Sequence, residues 1–124
     1  MAKMSIQYGS QVANELLAAV PEFREQYDEH LRDNDELLLH PLFANLARFA
    51  VAGQRAGDEE LVDRVLAAVE RLFVEGDPQT KELVAVSFVE HLGAETEPGE
   101  QSVCQKFPVE LAAELRRQRD WRPG

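Results

Sequence analysis

The side chains with chemistry to offer are three histidines, a lone cysteine, a serine inside an apolar run, and a dense block of carboxylates. His30, His40 and His91 raise the question of a metal. A zinc site needs four ligands at short characteristic spacings, and none of HExxH, HxxEH or CxxC occurs. His91 falls near the end of an apolar helical stretch, where a cation or ring donor serves the last carbonyls, and His40 before Pro41 has the position of a loop or cap residue. Ser87 lies in the most apolar segment, so its hydroxyl is expected to bond a carbonyl one turn back. Cys104 has Lys106 nearby but no histidine in its local sequence, and no glycine-rich phosphate loop is present. The expectation is a protein without metal or cofactor that is not an enzyme.

The carboxylates form a stronger pattern. Residues 22–36 hold seven acids (Glu22, Glu25, Asp28, Glu29, Asp33, Asp35 and Glu36) against Arg24 and Arg32, a net of −5. Glu22, Glu25 and Glu29 share one helical face with Asp33 below and Asp28 beside them. A di-iron bundle needs Glu-x-x-His on two helices with ligands facing the core. No Glu-x-x-His exists, and these acids lie off the apolar stripe of Phe23, Tyr27 and Leu31. A solvated face is the ordinary reading of such a block. Like charges at helical spacing nonetheless oppose the helix by about 0.2–0.5 kcal/mol per pair, and a surface built for a cationic partner looks the same. These seven acids, with Tyr27 as an aromatic anchor, are the candidate partner-binding residues.

The elements that must position them read as helices. The first runs from about Ser10 to Ala19 with Val12, Leu16, Leu17 and Val20 inward, and Pro21 opens a second through Phe23, Tyr27, His30 and Leu31, broken by Asn34 and Asp35. Pro41 starts a third, carrying Leu42, Phe43, Leu46, Phe49, Ala50 and Gly53 on one side and stopped by Gly57. Acids at Asp58, Glu59 and Glu60 suit the first turn of a fourth, whose stripe is Leu61, Val62, Val65, Leu66, Val69, Leu72 and Phe73, closed by Gly76. Asp77 caps a fifth with Pro78 at its first position and Gly93 as a left-handed stop. That helix is apolar nearly all round, including Ala85, Val86 and Val89, so neighbours are expected to cover it on several sides. Residues 94–100 read as a polar connection, with Val103 and Phe107 packing at the entry to a sixth helix from about Pro108 to Asp120.

The fold class is therefore all-α: one compact domain of about six helices spanning residues 1–124, built from antiparallel hairpins, with 1–8 and 121–124 as flexible ends. A chain of 124 residues buries roughly two-thirds of its unfolded surface. The formal charge of −10 argues against nucleic acid and against an anionic membrane surface. The first residues carry no apolar stretch of the signal-peptide kind, no run approaches the ~20 residues that cross a bilayer, and a single cysteine rules out an internal disulfide. The expected location is the cytoplasm. Charge is polarised, because the last ten residues hold four arginines against one aspartate.

The combination of Leu17, Val20-Pro21-Glu22-Phe23, the stretch from Leu31 to Leu39, Phe43-Ala44-Asn45-Leu46-Ala47-Arg48-Phe49 and Leu83 to Leu92 resembles a family of small bacterial all-helical domains of unknown function, often acidic. Proteins of this kind resemble the immunity proteins encoded beside polymorphic or contact-dependent toxins. The resemblance implies a cytoplasmic protein-binding protein that neutralises a cognate toxin, with a basic toxin domain as partner. Residues 22–36 would speed encounter, and Tyr27 or Trp121 would anchor the complex. A helical scaffold or regulator of other partners is the alternative, and a metal-dependent enzyme the third reading. If the acidic block is not the interface, the basic end around Arg116, Arg119 and Trp121 is the next place for one.

Overall fold

A computed structural model describes residues 5–94 and 97–120. The order is α1 (Ser10–Ala19), a 3-10 turn (Pro21–Phe23) leading into α2 (Arg24–Asn34), α3 (Leu39–Arg55), α4 (Glu59–Glu75), α5 (78–93), α6 (Pro98–Gln105) and α7 (Val109–Asp120). The all-α fold class is thus confirmed, with seven helices where six are expected. Among the described residues there is no strand beyond one isolated bridge between Ile6 and Gly76. No helix among them is long and apolar enough to cross a membrane.

The caps read from sequence operate. Asp58 accepts from the Leu61 amide and Asp77 from the Thr80 amide, while Gly57 and Asp35 take the positive φ that ends α3 and α2. Asp35 manages this without glycine because a short polar side chain tolerates the left-handed region. α3 lies at the centre, packing on α4, on the middle of α5 and on α6, with α2 along one edge. α1 covers α4, and α7 lies across α4 and the middle of α5. One core holds Phe23, Phe43 and Phe88 without exposure, together with the expected stripes of α3 and α4. Phe73 and Phe49 pack only half-buried at its margin.

Four expectations are corrected. The expected connection at 94–100 does not run through 97–100, where a helix already begins. Glu97 and Glu100 form a reciprocal capping box ahead of Pro98, and α6 buries Val103 and Cys104. The expected flexible end at 1–8 does not extend to residues 5–8: Ile6 is 3% exposed, its amide donates to the Glu75 carbonyl at 2.8 Å, and its carbonyl accepts from the Asp77 amide at 2.9 Å. Residues 1–4 and 121–124 lie outside the described residues. Gly93 is no left-handed stop; it stays helical, and a Cβ there would lie 2.8 Å from Leu115 Cδ1, so it serves the close approach of α7. α5 is covered on several sides as expected, by α3, α4 and α7, while Val86 stays 46% exposed. Finally, α3 begins at Leu39, two residues ahead of the expected start at Pro41, which places His40 in its first turn rather than in a loop before it.

Within α5 the middle stretch, Ala85–Glu90, is wound as a π-helix between the α-helical Pro78–Val84 and His91–Gly93. The wider turn carries Phe88 and Val89 into the core, where Phe88 stacks on Phe107 at 6.3 Å between ring centres. It also leaves Ser87 pointing at α3 rather than at its own helix.

Candidate protein-binding surface

The block of seven acids does not act as one surface. Glu22, on the 3-10 turn, is tied to α4 by a two-pronged ion pair with Arg64, one prong at 2.8 Å. The Arg64 hydrogen bond holds the Glu22 carboxyl well below its usual range, at about 2. Glu22 is therefore a structural strut rather than a free partner contact. Asp28 pairs with Arg24 at 3.4 Å, and the Arg24 guanidinium sits 5.7 Å over the half-buried Tyr27 ring, which also packs on the core. Tyr27 is thus less available as an anchor than its residue type suggests.

Glu25, Glu29, Asp33, Asp35 and Glu36 are exposed, and none forms an ion pair among the described residues. Several cations on other helices are occupied. Arg71 takes Glu15 and Glu75, Arg64 takes Glu22 and Glu60, Arg55 takes Glu97, and Lys106 takes Asp63 and Glu59. Lys81 donates to the last carbonyls of α4, at Phe73 and Val74. Acids are paired where helices meet, while five along α2 and its exit are not.

Glu29 and Asp33 also line a groove of about 370 Å³ between α2 and α3. Its α2 wall adds Gln26, His30 and Asn34; its α3 wall is Asn45, Arg48, Phe49 and Ala52. His30 is buried because it holds the chain at the exit of α2: its Nε2 accepts from the Leu38 amide at 3.0 Å. Asn34 donates to the His30 carbonyl at 2.8 Å, and Arg48 donates to Asn45 Oδ1. Glu25 and Asp28 do not line the groove. The α3 wall escaped sequence reasoning, although Asn45, Arg48 and Ala52 recur at helical spacing beside the half-buried Phe49 and mark a second polar-edged face.

The other chemical candidates resolve differently. Ser87 Oγ meets His40 Nδ1 at 2.6 Å across to α3, not a carbonyl one turn back, because the π-wound stretch turns it toward the start of α3. Among the described residues no carboxylate bonds that imidazole, so within them the pair has no third member to orient a catalytic base. His91 is placed near the end of α5 as expected and lines shallow depressions with Glu100. Cys104 is buried, its Sγ 3.4 Å from the Leu92 carbonyl. No group of three or more His, Cys, Asp or Glu side chains among the described residues is placed to hold a metal ion. The basic C-terminal alternative has Arg116 and Arg119 exposed on α7, while Trp121 lies outside the described residues.

A family model, Domain of unknown function (DUF7674), matches residues 13–122. The chain belongs to this family. The match runs from α1 through α7, so the family's extent coincides with the helical core, including both walls of the groove. No curated protein and no solved structure matches the chain.

Proposed function

We propose that this member of the family is a protein-binding protein that docks a basic partner on the acidic face of α2, and that it serves as an immunity protein neutralising a cognate toxin in the cytoplasm. One observation carries the reading: five exposed carboxylates on and just after α2 have no ion-pair partner, while Arg55, Arg64, Arg71 and Lys106 are all spent on other acids. Unpaired charge gathered along one helix accelerates encounter with an oppositely charged surface and selects against acidic partners. The immunity form of the reading rests on likeness in size, acidity and helical architecture to such proteins. A basic toxin such as a nuclease supplies the matching charge.

The test uses two triple reversals of equal net charge. One changes Glu25, Glu29 and Asp33 to Lys; the other changes Glu82, Glu90 and Asp120, which are exposed on other helices. Both retain the fold, as read by circular dichroism. The first slows association with the co-purified partner by at least tenfold at low salt and loses protection of cells making the neighbouring toxin. The defect shrinks as salt screens beyond a Debye length of ~10 Å. The second stays near the parent. Equal behaviour of the two variants would reduce the acidic helix to a solvated face.

A further inference from the structure

The α2 wall of the α2–α3 groove gathers three acceptors that identify what fits it. On the α2 wall, Glu29 and Asp33 present carboxylates without ion pairs, and Gln26 on the same wall has its Oε1 buried with no hydrogen-bond donor. On the same wall the Asn34 amide donates to the His30 carbonyl at 2.8 Å, which turns it away from the three acceptors. Two carboxylates and the Gln26 carbonyl oxygen thus face one groove, and a buried acceptor left without a donor is costly unless something supplies one. Phe49 offers a half-buried ring in the groove.

We infer that the groove is a docking slot for one arginine residue of the partner protein, its guanidinium received by Glu29, Asp33 and Gln26. A guanidinium carries five donors and no acceptor, is planar, and stacks on aromatic faces, so it answers the three acceptors and the Phe49 ring together. Lysine brings three donors on a compact, strongly hydrated head and satisfies the same wall less well. Arg48 on the opposite wall is bonded to the neutral Asn45 and forms no ion pair. Its remaining N–H groups are available to a backbone carbonyl of the incoming residue. Opposite charges thus line one groove without pairing, in the arrangement a peptide arginine needs, with a cation at its tip and carbonyls at its root. The inference rests on the reading of α2 as the partner-binding face and assigns that face its anchor.

The test is an amide NMR titration with three blocked tripeptides: acetyl-Gly-Arg-Gly-amide, its lysine counterpart, and its citrulline counterpart, which keeps the arginine shape but loses the charge. The arginine peptide gives saturable shifts clustered at residues 26–34 and 45–52. The lysine peptide binds at least threefold more weakly and the citrulline peptide at least tenfold. Gln26→Leu keeps the parent spectrum and weakens the arginine peptide at least threefold, whereas Glu29→Gln with Asp33→Asn weakens it at least tenfold. Absence of saturable shifts up to peptide concentrations on the order of 10 mM overturns the slot, as do equal responses to arginine and citrulline. Shifts that spread over Glu25, Asp35 and Glu36, equal for arginine and lysine and untouched by Gln26→Leu, also overturn it but leave the acidic-face reading standing. That broader reading fails separately, through the two triple reversals.

Discussion

Phe88→Ala is the sharpest probe of the packing that holds the binding face in place. Phe88 is fully buried in the π-wound stretch of α5, stacked on Phe107 with ring planes 27° apart. Removing a buried ring loses its transfer energy and leaves a cavity that a seven-helix packing closes only in part, costing about 3–5 kcal/mol. For a chain of 124 residues the total stability is roughly 6–19 kcal/mol, so the loss is a large share of it. With an unfolding entropy of ~2.1 cal/mol/K per residue, 4 kcal/mol lowers the melting temperature of 124 residues by about 15 °C. Urea denaturation measures the change directly, provided the slope with denaturant is unaltered. Val86→Ala is the internal control: it sits two residues away but is 46% exposed, and its cost stays within ~0.5 kcal/mol. A Phe88→Ala loss under about 1 kcal/mol, or a loss equal to that of Val86→Ala, would refute the winding that separates these two side chains.

Other perturbations have distinct signatures. The Glu22 carboxyl is held at about 2 against an ordinary 4.5, so its pairing with Arg64 contributes stability that is fully present above pH 4.5 and is lost as pH falls from there through 2. The stability difference between the parent and Glu22→Gln, followed by denaturation from pH 6 to pH 2, therefore shrinks on acidification across that window, and more salt makes it smaller throughout; a pH-independent difference would contradict the pairing. Gly76→Ala places a Cβ 2.4 Å from the Leu72 carbonyl and 2.6 Å from Thr80, where the backbone cannot yield. Its cost by denaturation is ~1–3 kcal/mol, the range of an overpacked site, and a neutral result would mean the α4–α5 turn is looser than described. A chelator leaves the melting temperature of the purified protein unchanged, and stoichiometric zinc or iron by elemental analysis would bring the enzyme reading forward.

The helices of this protein are local statements, which is why most of them are legible in the chain. Apolar stripes at three- and four-residue steps, Asp58 and Asp77 at caps, Pro78 at a first position and Gly57 at a stop are all decided within one or two turns. α6 hides because its exposed surface is polar, although the capping pair Glu97 and Glu100 around Pro98 was there to be read. What sequence alone determined is therefore the all-α class, the core residues and the acidity of residues 22–36. The tertiary structure decided which of those acids are free. Glu22 and Arg64 lie 42 residues apart, and only the packing of the α2 entry against α4 brings them together. Glu70 of α4 likewise accepts from the Glu110 and Leu111 amides, capping a helix 40 residues further on. The groove exists only because α3 runs beside α2 and sets Asn45, Arg48 and Phe49 opposite Glu29 and Asp33. Periodicity specifies which face of a helix is wet. Whether a charge on that face is spent on a neighbour or left for a partner depends on distances between helices, and no local pattern encodes those.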